Sequence, residues 1–206
     1  VGLLELSKAG VELLELSREF SYENQDQCIE KVDLALQQLS EQSEQVSETI
    51  FAVGAPWVKD GELSAEKKPL IKRITKDLNL QALGFIEMNE ALAEQKIIEN
   101  ALFSGILAIF SEFEVSFTLV YQGKFFQTEV VGVSSDFAGD FTEAVARLHK
   151  TIEKSTAYLP SKIFLASFEL SQPQLSEYQQ KIYDQNWQEH TAFLQTPVVE
   201  IITQAH

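Results

Sequence analysis

The side chains best suited to chemistry in this 206-residue chain are three histidines and one cysteine. Their spacing serves neither metal binding nor nucleophilic attack. His149, His190 and His206 stand far apart, and none belongs to an HxxxH or Cys/His ligand pattern, so no zinc site or catalytic triad is expected. Cys28 has no second cysteine to pair with, and together with Ile29, Val32, Leu36 and Leu39 it falls on the apolar stripe of a helix. Its expected role is packing. Trp57, in the loop Ala55-Pro56-Trp57, is the candidate anchor for a protein partner, because tryptophan often dominates interfaces. The competing reading is that it packs over a strand end. Trp187, near Tyr183 and Phe193, is read as a lid on the core.

Charge narrows the partners. Sixteen Lys and Arg against 31 Asp and Glu leave a formal charge of −15, which repels phosphate backbones and anionic headgroups. Nucleic acid is therefore not an expected partner, and most of the acidic surface is expected simply to be solvated. Apolar runs such as Gly105 to Phe110 are too short to span a bilayer, and no cationic stretch followed by an apolar one opens the chain. The expected location is the cytoplasm. Because the sequence begins at Val1, it is expected to be a domain of a longer chain, one that could be membrane-associated.

The elements that must position any site follow from periodicity. Leu4, Leu6, Val11, Leu13 and Leu14 alternate around Ser7-Lys8-Ala9-Gly10, which predicts two strands and a tight turn. A third short strand is expected at 18–22. Asn24 caps a predicted helix over 25–42, followed by a strand at 49–54. A loop with Asp60-Gly61 leads to a helix carrying Leu70, Ile71, Ile74 and Leu78, then a strand at 83–87 and a helix at 89–100. From Gly105 the order recurs: strands at 106–110, 115–121 and 125–133, with a turn at Gln122-Gly123-Lys124. A helix follows, with Phe141, Ala144, Val145, Leu148 and Ile152 on one face and Asp140 and Glu143 as a capping box. A strand at 162–167, a helix at 173–184 and a strand at 198–203 complete the chain. Each half reads strand, strand, strand, helix, strand, helix, strand. The expected domains are 1–103 and 104–206, with 49–90 either a small subdomain or the back of the first half.

Three segments resemble the actin-like ATPase superfamily that includes FtsA and the pilus-assembly protein PilM. Phe117-Thr118-Leu119-Val120-Tyr121-Gln122-Gly123-Lys124 is similar to the family's second-half hairpin. Phe137-Ala138-Gly139-Asp140-Phe141-Thr142 resembles its Gly-Gly-x-x-x-Thr helix start, and Leu80-Gln81-Ala82-Leu83-Gly84-Phe85 is like its strand entry. The resemblance implies an α/β fold of two tandem βββαβαβ halves, with actin-like (ribonuclease-H-like) mixed sheets flanked by helices.

It also implies a site for Mg-ATP between glycine-rich turns, with an Asp beside each turn. The first turn holds Glu5, Ser7, Lys8 and Gly10, a carboxylate, a hydroxyl, a cation and a glycine. Gly139, Asp140 and Thr142 complete the residual nucleotide pocket that the resemblance implies. The second turn, Phe110-Ser111-Glu112-Phe113-Glu114, has no glycine, and its two glutamates would repel a phosphate. On the adenine side, Ala166-Ser167-Phe168-Glu169-Leu170 lacks the family's paired glycines.

The expectation is a non-catalytic scaffold or assembly-platform domain that binds protein partners, with no cofactor. The alternative is a divergent ATPase that binds ATP and magnesium through the residues named above. A ribonuclease-H-type nuclease would need Glu5, Glu112 and Asp136 to hold two metals, and the net charge and lack of a basic groove argue against it.

Overall fold

A computed structural model describes residues 1–8, 10–39, 48–111, 113–152, 158–187 and 192–202. The chain divides into two units, Val1–Ala52 with Trp57–Ile86, and Val53–Pro56 with Glu87–His206.

The first unit opens with β1 (Gly2–Ser7) and β2 (Gly10–Leu16), an antiparallel hairpin closed between Ser7 and Gly10. Gly10 has φ +138, a backbone state that glycine adopts without a steric penalty. No third strand forms at 18–22. Its groups are engaged by side chains instead: the Arg18 amide donates to Gln38 Oε1 at 3.2 Å, and the Arg18 guanidinium lies 4.8 Å from the Phe20 ring centroid.

Asn24 caps α1 (Gln25–Leu36) as expected, its side chain accepting from the Gln27 amide at 3.0 Å. α1 stops six residues short of the expected end, and residues 40–42 lie outside those described. β3 (Glu48–Val53) leads to a two-residue Asp60-Gly61 turn between β4 (Val58–Lys59) and β5 (Glu62–Leu63), with both turn residues at positive φ. α2 (Lys68–Asp77) precedes β6 (Gln81–Glu87), which pairs with β3. Cys28, Ile29, Leu70 and Ile74 form the small core of this unit, and Asp26 to Arg73 at 2.6 Å ties α1 to α2. Cys28 is thus a buried packing residue, and burial pushes its thiol pKa upward, away from the reactive thiolate.

The second unit contains α3 (Met88–Glu99), then β7 (Gly105–Phe110), β8 (Glu114–Tyr121), β9 (Lys124–Gly132), α4 (Phe137–Ile152), β10 (Lys162–Ser167), α5 (Gln172–Tyr183) and β11 (Val198–Ile201). From β7 onward this is the expected three strands, helix, strand, helix, strand. The strands form one mixed five-stranded sheet in the order β11-β10-β7-β8-β9, parallel from β11 to β7 and antiparallel from β7 to β9.

β7 is apolar at every position and wholly buried, as a central strand covered on both faces must be. Ile106, Ala108 and Phe110 point to the core shared with α4 and α5. Leu107 points the other way, to Ala93 of α3. α3, which the sequence analysis placed in the first half, therefore packs on the sheet of the second.

α3 is capped by a buried residue. Both carboxylate oxygens of Glu87 accept helix amides, from Asn89 at 2.8 Å and from Glu90 at 2.9 Å. Asn89, with no exposed surface, donates to Thr118 Oγ1 at 2.9 Å and accepts from Ser116 Oγ at 2.9 Å, and Thr118 bonds Thr128. Burial pushes the Glu87 carboxyl above its ordinary value of 4.5, and the two amides only partly oppose this. A raised native pKa means the folded state holds the proton more tightly. The stability linked to this group is therefore present below pH 4.5 and lost as pH rises through the native value. Glu87→Gln should flatten that descending part of the stability curve relative to the parent. Urea unfolding from pH 4 upward measures it, and parallel curves for the two proteins would contradict the assignment.

Candidate functional site

β7, β9 and β10 run in the same direction, so their carboxyl ends share one edge of the sheet, where ligands of open α/β sheets usually bind. At that edge Ser167 Oγ donates to the Phe110 carbonyl at 2.8 Å, joining β10 to β7 at their last paired residues. The same oxygen accepts the amides of Glu169 at 3.1 Å and Leu170 at 2.8 Å. This hydroxyl organises the turn that follows β10.

The β7–β8 turn is likewise self-contained. Ser111 Oγ donates to the Glu114 carbonyl at 3.0 Å and accepts the Glu114 amide at 3.1 Å. Phe113 stands in solvent, 71% exposed. Glu112 lies outside the described residues.

α4 begins at Phe137, three residues before the expected Asp140 cap, and Asp136 is the residue that terminates it. Its Oδ1 accepts the Gly139 amide at 3.2 Å, and its carbonyl accepts the Asp140 amide at 3.1 Å. Asp140 faces backward, its Oδ2 accepting the Ser134 amide at 2.8 Å. The sequence carries a signal for this cap, an Asp three residues before Gly139, but Asp140 with Glu143 three positions on offers the same local pattern. Glu143 is not half of a capping box, for it pairs with Arg147 one turn on.

Of the residues predicted to form a nucleotide pocket, Gly139 and Thr142 are brought together. They line an open cavity of about 520 Å³ with Ala138, Glu143 and Ala146 of α4 and with Gln185 and Asn186 after α5. Gln185 straps this wall in place: its Nε2 donates to the Ala138 carbonyl at 2.7 Å, and its Oε1 lies 3.3 Å from Thr142 Oγ1. Thr142 also donates to Ala138 O at 2.9 Å. Among the described residues, no lysine or arginine lines this cavity. Asp140 turns away from it.

Glu5, Ser7, Lys8 and Gly10 belong to the hairpin of the first unit, and all four residues are exposed. Glu5 faces Glu12 across the hairpin, and nothing lies within 4 Å of where a Gly10 side chain would begin. Gly10 is thus required by its φ and not by any close neighbour.

Phosphate binding at a helix start needs free amides and a favourable charge. Here the Gly139 amide meets the Asp136 carboxylate, and a Cβ on Gly139 would come within 2.5 Å of Asp136 Oδ2. The glycine accommodates the protein's own cap. These residues suit the closure of α4 and do not fit a nucleotide phosphate, which Asp136 and Asp140 would repel. Among the described residues, no group of three or more His, Cys, Asp or Glu is placed to hold a metal ion.

Trp57 is half-buried against the Cys28–Ile74 core, with Lys67 Nζ 4.9 Å from its ring centroid. Trp187 is buried between Phe141 and Phe193, as expected of a core lid.

No protein-family model matches the sequence, nor does any curated protein. Among solved structures, an exopolyphosphatase from Cytophaga hutchinsonii matches with a TM-score of 0.52 and 12% identity, covering 91% of this chain and 69% of that one. The fold is that of the actin-like ATPases. The ethanolamine utilization protein EutJ from Carboxydothermus hydrogenoformans matches with a TM-score of 0.47 and 9% identity over 93% of this chain and 74% of its own. A Bacteroides thetaiotaomicron protein of actin-like ATPase fold and unknown function matches at 0.48 and 11%, over 84% of this chain and 76% of its own. Among the described residues, no helix is long and apolar enough to cross a membrane.

Proposed function

We propose that this chain is a non-catalytic actin-like domain that binds protein partners within a larger assembly. Pilus assembly, secretion and cell division are the processes that use such domains, and a cytoplasmic position beside a membrane-associated assembly fits the charge. The carrying observation is the start of α4, where the amide of Gly139 is already held by the Asp136 carboxylate. A phosphate there would have to displace a charged cap and then sit beside Asp140. The glycine-free, internally bonded β7–β8 turn adds to this.

Titration calorimetry with ATP and magnesium, with ADP as control, tests the reading. No heat and no thermal stabilisation at millimolar nucleotide is the expected result. Saturable micromolar binding would overturn it. The second reading, a divergent Mg-ATP-binding protein, draws on the cavity beside Gly139 and Thr142. Fold likeness adds no weight to either, because activity resides in the site and not in the fold.

A further inference from the structure

In the second unit the outer edge of β8 is covered by β9 along its whole length. The corresponding strand of the first unit, β2, has no such cover. The chain leaves β2 at Leu16 and reaches α1 at Gln25 without forming another strand, and among the described residues β2 pairs with β1 alone. Among the described residues no further strand pairs with the outer side of β2 at Val11 and Leu13, and such an edge is a template for one more strand.

The two faces of the hairpin say what that strand should carry. Leu4, Val11 and Leu13 share one face, with Leu4 opposite Leu13, and are 50%, 62% and 54% exposed. On the other face Glu5 stands directly opposite Glu12, a like-charge pair that destabilises the hairpin until a cation joins it.

We propose that the outer edge of β2 receives an extended segment of a partner protein in which apolar and basic side chains alternate. Its apolar residues extend the Leu4–Leu13 face, and its basic residues lie beside Glu12 and relieve the repulsion with Glu5. A second copy of this chain is a poor occupant: it carries the same charge of −15 and would set glutamate against glutamate. The inference rests on the partner-binding reading above, but it concerns a surface away from α4 and is tested without nucleotide.

The probe is a labelled nonapeptide of alternating valine and lysine, with a valine–glutamate peptide as control, followed by fluorescence anisotropy on the whole chain. Two variants locate the site. Ser7 and Gly10 close a two-residue turn and so form a hydrogen-bonded pair. Because such pairs alternate along a hairpin, Leu13 directs its amide outward. Leu13→Pro therefore deletes a donor on the outer edge, and Glu12→Lys reverses the charge without touching the backbone.

The expected result is salt-sensitive binding of the valine–lysine peptide only, weakened about ten-fold or more by either variant, with the thermal midpoint of Glu12→Lys no lower than that of the parent, since a lysine opposite Glu5 removes the like-charge pair. No binding at millimolar peptide, or equal binding by the parent and Glu12→Lys, overturns the proposal. A concentration-dependent dimer abolished by Leu13→Pro also overturns it, in favour of a second copy. ATP titration of the same samples separates the two ideas: peptide failure without ATP binding removes this surface alone, whereas ATP binding removes the reading beneath it.

Discussion

Phe141→Ala is expected to cost about 3–5 kcal/mol of stability. Phe141 has no exposed surface and sits where the aromatic side chains of the second unit meet. Its ring lies 5.2 Å from Phe117 of β8, edge-on, and 5.7 Å from Trp187, also edge-on, with Phe137 at 6.0 Å. Truncation removes the ring from three neighbours that belong to a strand, a helix and the segment after α5, and these cannot all collapse into one gap. The loss has a local consequence as well. Trp187 is two residues beyond Gln185, so loosening it also loosens the strap on the first turn of α4. Urea unfolding monitored by tryptophan fluorescence measures the cost, and a value under about 1 kcal/mol would show that the site relaxes in a way this packing does not allow.

Gly123→Ala should rival it, by a different mechanism. Gly123 closes the β8–β9 turn with φ +69, and the preceding Gln122 is also at positive φ. A Cβ at Gly123 would fall 2.0 Å from the carbonyl oxygen of Ala101, while its own amide donates to Phe103 O at 2.8 Å. The clash is with backbone and cannot be relieved by a rotamer change. Strain from positive φ and forced displacement together amount to about 2–5 kcal/mol. Gly61→Ala is the control: φ is +76, but nothing lies within 4 Å of the added carbon, so only the conformational part, about 1–2 kcal/mol, applies. Similar losses for the two variants in thermal unfolding would mean that the approach of Ala101 has no energetic weight.

Much of the fold could be read from local pattern. The continuous apolar run of β7, the alternation into β8 and β9 around Gln122-Gly123, and the Phe141–Ile152 stripe are signals within a few residues of chain, and each became the element it announced. The Asn24 cap and the burial of Cys28 and Trp187 were legible for the same reason. Residues 18–22 were not, because an apolar pair at Phe20 and Tyr22 suggests a strand, whereas Arg18 and Lys31 draw the Phe20 ring into cation contacts instead.

The candidate site divides along the same line. Composition and glycine count alone led to the expectation of poor phosphate turns, since missing glycines and added glutamates are properties of the residues themselves. Only the tertiary structure decided which groups meet at these turns. Asp136 holds the Gly139 amide, Ser167 ties β10 to Phe110, and Gln185 reaches back 47 positions to Ala138. The Asp136 cap is local and could have been read from the chain, but the Ser167 and Gln185 bonds span 57 and 47 positions and leave no periodic trace, because they depend on where the backbone brings the partners and not on how they are spaced.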